Sequence, residues 1–207
     1  MERLSPAEGQ DHHTLRGVTL ENKIIDIGLG TYQDMIHDCT LINCTLRIRC
    51  AAGGVNIFGS SLTNCTIWPA RQMNNLRLTG LELINCTFKG KYRGCRFGSE
   101  HSDQTSTVSG CDFSQAGLLD LCDFLDGCDV NSCRFPAWPH LLASGLPEPA
   151  PDWLAIDFPQ SFRTTQRIIG QQEGPCVAVS VYLPARLEKA DDYKELLTSR
   201  PYLLGTV

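Results

Sequence analysis

The pentapeptide LINCT occupies residues 41–45, recurs letter for letter at 83–87, and has the variant LTNCT at 62–66, halfway between them. The copies are therefore 21 residues apart. A fixed period of this length is typical of proteins built from stacked structural repeats. The period, more than local propensity, decides the fold of this chain.

The repeated unit is a small residue followed two positions later by a large apolar one. Residues i and i+2 of a strand point to the same side, so both members of the unit are predicted to face inward. A second series of the unit runs five residues ahead of the first, which predicts four short strands in each turn of a solenoid. The predicted structural core consists of Cys39, Cys44, Cys65, Cys86, Cys111, Cys128, Cys133, Leu46, Ile67, Phe88, Phe113 and Phe135.

The unit is densest in GCDFSQAGLLDLCDFLDGCDVNSCRF (110–135), where it returns at nearly every fifth residue. This run resembles the pentapeptide-repeat proteins, whose usual unit is A-[DN]-[LF]-x-x, with Cys in place of most Ala. The resemblance covers about residues 35–135. It implies a right-handed quadrilateral β-helix, a non-enzymatic role, and motif residues that belong to the core and not to a catalytic site.

The predicted fold is an all-β solenoid, a right-handed β-helix of about six turns, followed by a small C-terminal α/β tail. The expected parts are a flexible leader at 1–17, the β-helix at 18–135, a Pro/Trp-rich connection and cap at 136–153, and the tail at 154–207. The leader contains no apolar stretch, so no signal peptide is expected. The tryptophans of the connection are expected to cover the last turn of the solenoid.

Two segments of the tail carry secondary-structure signals. The β-rich runs 162–170 and 176–183 flank QQEGP and predict a hairpin. Within 186–199, an apolar stripe predicts a helix; its members are Leu187, Ala190, Tyr193, Leu196 and Leu197. The sequence leaves open whether this tail caps the solenoid, forms a dimer or recognises a partner.

The chain contains 11 cysteines and no C-x-x-C pair. Free cysteine packs as a small buried hydrophobe, and the repeat already accounts for most of these positions. We therefore expect free thiols, no disulfide, no metal and no cofactor. A chain this rich in free thiol is expected in a reducing cytoplasm.

Charge is distributed unevenly along the repeat. Residues 18–97 carry nine Lys/Arg against five Asp/Glu, whereas 98–135 carry one Arg against seven Asp/Glu. Because sequence position maps onto height in a solenoid, one end is predicted to be basic and the other acidic. The acidic candidates for binding a partner are Asp112, Asp123 and Asp129, which follow core cysteines and should project outward, and Asp120 and Asp126 at corners.

The expected function follows from this fold and from the motifs that the sequence lacks. It contains no metalloprotease, hydrolase or nucleotide-binding motif, no apolar run long enough for a membrane span, and no basic run with interleaved aromatics for nucleic-acid binding. The favoured expectation is a non-enzymatic cytoplasmic binding module, an immunity or antitoxin protein of a bacterium that neutralises one partner protein, such as a basic toxin or enzyme. One alternative is a DNA mimic acting on gyrase. Another is a β-helix carbohydrate-active enzyme that uses an Asp120/Asp123 or Asp126/Asp129 pair.

Overall fold

The computed structural model describes residues 1–4, 12–30, 32–101, 105–145, 151–170, 176–200 and 203–204. The fold is mostly β, with a few short helices near the C-terminal end. Within the described ranges the strands are, in chain order, β1 (Glu2–Leu4), β2 (Thr14–Arg16), β3 (Thr19–Glu21), β4 (Lys23–Ile27), β5 (Asp34–His37), β6 (Thr40–Ile42), β7 (Thr45–Ile48), β8 (Val55–Phe58), β9 (Ser61–Thr63), β10 (Thr66–Pro69), β11 (Met73–Asn74), β12 (Arg77–Thr79), β13 (Glu82–Ile84), β14 (Thr87–Phe88), β15 (Gly90–Arg93), β16 (Arg96–Gly98), β17 (Thr107–Ser109), β18 (Ala116–Asp120), β19 (Cys122–Leu125), β20 (His140–Ser144), β21 (Cys176–Tyr182) and β22 (Leu203–Leu204).

The α-helices are α1 (Pro151–Leu154), α2 (Gln160–Gly170) and α3 (Lys194–Thr198). Short 3-10 helices span Ala52–Gly54, Val130–Ser132, Leu183–Ala185 and Ala190–Tyr193. None of the helices among the described residues has the length and apolar character needed to cross a membrane.

The strands stack into the faces of a β-solenoid. Face 1 contains β1, β4, β7, β10 and β14, and face 3 contains β3, β6, β9, β13 and β17. Face 2 consists of β2, β5 and β8 and, above them, β12, β16 and β19; face 4 contains β11, β15 and β18. All pairs within these stacks are parallel, as a solenoid requires.

The register follows the sequence period. In face 3, β3 pairs with β6, β6 with β9 and β9 with β13 at offsets of 21 residues, shown by Leu20↔Leu41↔Leu62↔Leu83. The next partner is Val108, an offset of 25 residues, because the chain is longer between β16 and β17. The repeat therefore sets the pairing of the strands. The additional residues of the longer interval lie between β16 and β17 and do not disturb the register.

The solenoid has about five coils, one fewer than expected. The residues of the expected sixth coil make only isolated bridges, Val108↔Cys128 and Asp112↔Arg134, and a short 3-10 helix at Val130–Ser132. The four-sided cross-section is also incomplete. Face 4 begins only at β11, and the matching position of the preceding coil holds the 3-10 helix Ala52–Gly54.

The core is filled by columns of cysteine and of large apolar side chains. Cys44, Cys65, Cys86 and Cys111 are buried, and their thiols donate to the carbonyl oxygens of Leu20, Leu41, Leu62 and Leu83 in the preceding coil at 3.2–3.4 Å. Of the predicted core, Cys39, Leu46, Ile67, Phe88 and Phe113 are also buried, whereas Cys128, Cys133 and Phe135 of the final turn are only partly buried. Cysteine suits this column because it is small, apolar and a weak donor.

Each copy of the repeated pentapeptide ends in the triplet N-C-T, and its asparagine lies at a corner between two strands of the solenoid. Asn43, Asn64 and Asn85 have φ of +53°, +54° and +53°, in the left-handed region that asparagine tolerates better than most residues. The next corner of this column is Gly110, with φ +62°, where an added Cβ would lie 2.2 Å from Asn85 Oδ1. Each triplet therefore turns the chain, points a thiol inward and begins a strand of face 1.

The N-terminal segment is not simply a flexible leader. β1 pairs with β4 from Glu2↔Lys23 to Leu4↔Ile25, and β2 pairs with β5. These strands supply Leu4 and Leu15, which are partly buried against the core. The prediction was wrong here because three-residue strands carry too few residues to show an alternating pattern. Residues 5–11 lie outside the described residues.

The predicted hairpin of the tail is wrong in its first half. Residues 160–170 form helix α2, with Phe162, Thr165, Gln166 and Ile169 buried on one side. Thr165, Gln166 and Ile169 follow Phe162 by three, four and seven positions, the spacing of one face of a helix. This periodicity prevails over the β-branched composition of the segment. The second half is strand β21. The helix predicted over 186–199 is divided into the 3-10 helix Ala190–Tyr193 and α3.

The tail is joined to the upper end of face 2. Strand β21 pairs antiparallel with β19 on one side and with β20 on the other, so residues 140–144 of the predicted connection are also a strand. This pairing covers a sheet edge that would otherwise be open. The tryptophans do not cover the last turn. Trp153 is buried and Trp138 partly buried in a second core, together with Phe158, Phe162 and Leu197.

Candidate binding surfaces

The five aspartates predicted to bind a partner do not form one surface. Asp112 bridges Thr87 and Arg134 on face 1, Asp123 lies on β19 of face 2, and Asp126 follows that strand. Asp126 and Asp129 are exposed. Asp112 is half-buried, and its Oδ1 accepts hydrogen bonds from Ser114 N at 2.9 Å and Ser114 Oγ at 2.5 Å.

Asp120 is not a surface residue. Its side chain is 2% exposed, and Arg186 of the tail donates to both of its oxygens, at 2.5 and 3.0 Å. The backbone N–H of Tyr182 donates to it at 3.2 Å, and Arg93 lies 3.5 Å away. This carboxylate therefore holds the tail on the solenoid and is unavailable to a partner.

The predicted acidic end is offset in part by arginines from the segment below it, whereas Asp112, Asp126 and Asp129 form no ion pair with a described residue. Arg96 pairs with Asp123 at 3.3 Å and with Glu100 at 3.0 Å. Burial raises the pKa of Asp123, against the opposing effect of Arg96. The two charge blocks are thus separate in sequence, but they meet across adjacent coils and adjacent strands.

A different surface, on face 1, carries an ordered set of cations. Asp26 is 1% exposed and lies under Arg3, Arg47 and Arg49. Its Oδ2 accepts from Arg3 Nε at 2.5 Å and from Arg47 Nη2 at 3.1 Å, and its Oδ1 accepts from Arg49 Nε at 3.2 Å. We call these four residues the arginine cluster.

Electrostatics fix the charge state of the cluster. Desolvation opposes ionisation of Asp26, but hydrogen bonds from Arg47, Arg3 and Arg49 outweigh it and lower the pKa of the carboxyl group. Asp26 is therefore ionised at neutral pH, and three guanidiniums surround one carboxylate. The cluster is cationic as a whole.

An exposed aromatic ring adjoins the arginine cluster in the same stack. Asp26 pairs with Arg47 and Arg47 with Trp68 in the register of face 1. Trp68 is 50% exposed, and Lys89 Nζ lies 5.9 Å from its ring centroid, a cation–π contact. Trp68 thus lies between two cations on a flat sheet surface.

Sequence reasoning did not find this surface, although a signal for it was present. Residues 26, 47, 68 and 89 are each 21 apart, so the repeat that predicts the core also predicts an outward column of Asp, Arg, Trp and Lys. We refer to this column, with Arg3 and Arg49, as the face 1 stripe. The charge totals over 18–97 conceal it because they ignore which side of the strand a residue occupies.

Clefts among the described residues lie away from face 1. A cleft of about 480 Å³ in the tail lies between Ser161, Arg186 and Tyr193, and a groove of about 510 Å³ opens between β8 and β12, beside Asn56 and Arg77. In the part of the chain that is described, no group of three or more His, Cys, Asp and Glu side chains is placed to hold a metal ion. Neither cleft brings together the predicted site residues.

Comparison of the chain with protein-family models, with curated proteins and with solved structures finds no match. The stacked parallel coils are compatible with a pentapeptide-repeat β-helix.

Proposed function

We propose that the protein is a non-enzymatic binding module, of the immunity or antitoxin type, that holds one partner protein on face 1 of its solenoid. The observation that carries this proposal is the half-exposed Trp68 between Arg47 and Lys89. Tryptophan and arginine are, with tyrosine, the residues most enriched among interface hot spots.

The rigidity of the surface supports the same proposal. The central strands β7 and β10 are paired on both sides, and Asp26 holds the guanidinium groups of its three arginines in defined positions. A surface ordered before binding loses less conformational entropy in the complex. Specific recognition of one protein is therefore a suitable use of this face.

The cellular setting is proposed from the thiols. All 11 cysteines are free, and seven of them are buried. Burial raises the pKa of Cys128 and of Cys176 to about 12, which keeps these thiols protonated and unreactive. We assign the protein to a reducing cytoplasm, and its repeat to the pentapeptide-repeat class.

The face 1 stripe favours an acidic partner, whereas the charge blocks in the sequence led us to expect a basic one. A DNA mimic needs an acidic surface that continues along the rod. Here Asp120 is buried and Asp123 is paired with Arg96, so the remaining carboxylates do not form such a surface. Inhibition of gyrase supercoiling by the purified protein would restore the DNA-mimic alternative.

The test begins with capture of the partner from native cells by the tagged protein. The partner is then purified, and its affinity is measured for the wild type, for Trp68→Ala and for the control Arg163→Gln, an exposed tail residue paired with Asp157. We expect Trp68→Ala to weaken binding about 30-fold or more, as for a hot spot of about 2 kcal/mol, and Arg163→Gln to have little effect. Unchanged affinity of Trp68→Ala would refute the proposal.

A further inference from the structure

We infer that the segment received by face 1 is an extended acidic polypeptide, whose carboxylates pair with Arg3, Arg47 and Arg49 while an apolar side chain covers Trp68. This inference rests on the proposed function and names the chemistry of its partner. It follows from the unused hydrogen-bonding capacity of the arginines, from the single exposed ring and from the spacing of the coils.

The arginines have donors to spare. Each guanidinium carries five N–H donors in a planar fork, and the contacts to Asp26 are one from each arginine. The side chains of Arg3 and Arg49 are 55% and 42% exposed, so their donors that contact no described residue can reach solvent. Arg47 Nε also has no acceptor among the described residues, but it is buried and is therefore not counted among the donors open to a partner. Carboxylates match such forks in two-point contacts.

Asp26 gives the cluster its shape as well as part of its charge. Without an internal carboxylate, three adjacent guanidiniums would repel one another and spread apart. With it, they converge and still carry an excess of two positive charges over the single carboxylate. Asp26 is therefore a positioning residue that prepares the site for further carboxylates.

The aromatic content of face 1 distinguishes a polypeptide from a nucleic acid. Trp68 is the only exposed aromatic residue in the described strands of this face. Single-stranded nucleic acids are bound by stacking successive bases on several rings. One ring beside several guanidiniums fits one apolar side chain among carboxylates better than it fits a run of bases.

The dimensions of the solenoid suit an extended chain lying along its axis. Neighbouring strands are about 4.8 Å apart, and side chains on one side of an extended peptide recur about every 6.6 Å. Arginine side chains are long enough to compensate for the difference between the spacing of the strands and the spacing of the peptide side chains. Residues Arg47, Trp68 and Lys89 would then contact successive side chains on one side of the bound segment.

The test uses defined probes in place of the native partner. Three fluorescent probes are titrated at low salt: a twelve-residue peptide of alternating Glu and Ser with one central Leu, the same peptide with Lys for Glu, and a single-stranded DNA 12-mer. The acidic peptide is expected to bind most tightly. The double variant Arg47→Gln, Arg49→Gln should weaken it about tenfold or more.

The matched control is Arg16→Gln, which removes an exposed arginine from face 2 and should leave the affinity unchanged. Circular dichroism verifies that each variant is folded. The inference is overturned if the acidic peptide does not bind. It is also overturned if the DNA binds more tightly than the acidic peptide and if Trp68→Ala abolishes that DNA binding. If binding of the captured native partner requires Trp68 but the acidic peptide does not bind, the proposed function stands and this inference alone fails.

Discussion

Asp120 and Arg186 are 66 positions apart, yet they form a buried two-point ion pair with N–O distances of 2.5 and 3.0 Å. The pair joins the last strand of face 4 to the tail, beside the strand β21 that closes the edge of face 2. The ion pair thereby joins the solenoid and the C-terminal tail into one folded unit.

Removal of either partner should therefore destabilise the protein. Asp120→Asn leaves the buried Arg186 without its counter-ion, and Arg186→Gln leaves Asp120 with only the longer contact to Arg93 at 3.5 Å. Breaking a buried pair in this way typically costs about 3–5 kcal/mol. Denaturation midpoints would measure the loss, and limited proteolysis should show cleavage within the tail. The control Asp126→Asn alters an exposed carboxylate and should shift the midpoint little. Equal shifts for Asp120→Asn and Asp126→Asn would contradict the structural role of the pair.

The cysteine column should resist enlargement. Cys86 is 0% exposed, and its thiol lies 3.2 Å from the carbonyl oxygen of Leu62. We expect Cys86→Leu to overfill the coil and to cost about 1–3 kcal/mol, and Cys86→Ala to cost less. Cys133→Leu, at a partly buried position of the last turn, is the matched control. If unfolding shows that both leucines are tolerated equally, the close packing of the column is wrong.

The left-handed corners should discriminate between side chains. Asn64 has φ +54°, so Asn64→Gly should be nearly neutral and Asn64→Val should cost about 1–2 kcal/mol or more, because a β-branched residue is strained there. Thermal unfolding of the two variants tests this. A valine as stable as glycine would show that the corner does not require the left-handed conformation.

Acid should selectively weaken face 1. The folded pKa of Asp26 lies below its ordinary value, so its stabilising effect is present above the unfolded pKa of about 3.9 and is lost as pH falls through the folded pKa. Stability measured from pH 7 downward should fall below about pH 4. Asp26→Asn should be less stable at neutral pH and should show a smaller decline in acid. Parallel curves for the two proteins would exclude this linkage.

The sequence predicts the solenoid well because one period sets both the register and the core. Leu41, Leu62 and Leu83 stand in one column as the spacing requires. The same period predicts the stripe through Arg47 and Trp68, once the outward residues are aligned as carefully as the inward ones.

Other features could not be predicted from the repeat. The role of Asp120 depends on Arg186, and nothing local in either segment indicates the contact. Helix α2 was predicted as a strand because Ile168 and Ile169 have β-branched side chains, whereas its burial pattern is set by tertiary packing against Trp153. Such long-range contacts prevail over local propensity wherever the period ends.

One comparison of affinities tests most directly whether face 1 holds the partner. The dissociation constant of the captured partner is measured for Trp68→Ala and for the triple variant Asp112→Asn, Asp126→Asn, Asp129→Asn. We predict that Trp68→Ala weakens binding about 30-fold or more, while the triple variant binds like the wild type. A triple variant that loses binding while Trp68→Ala retains it would contradict the assignment and place a basic partner at the acidic end.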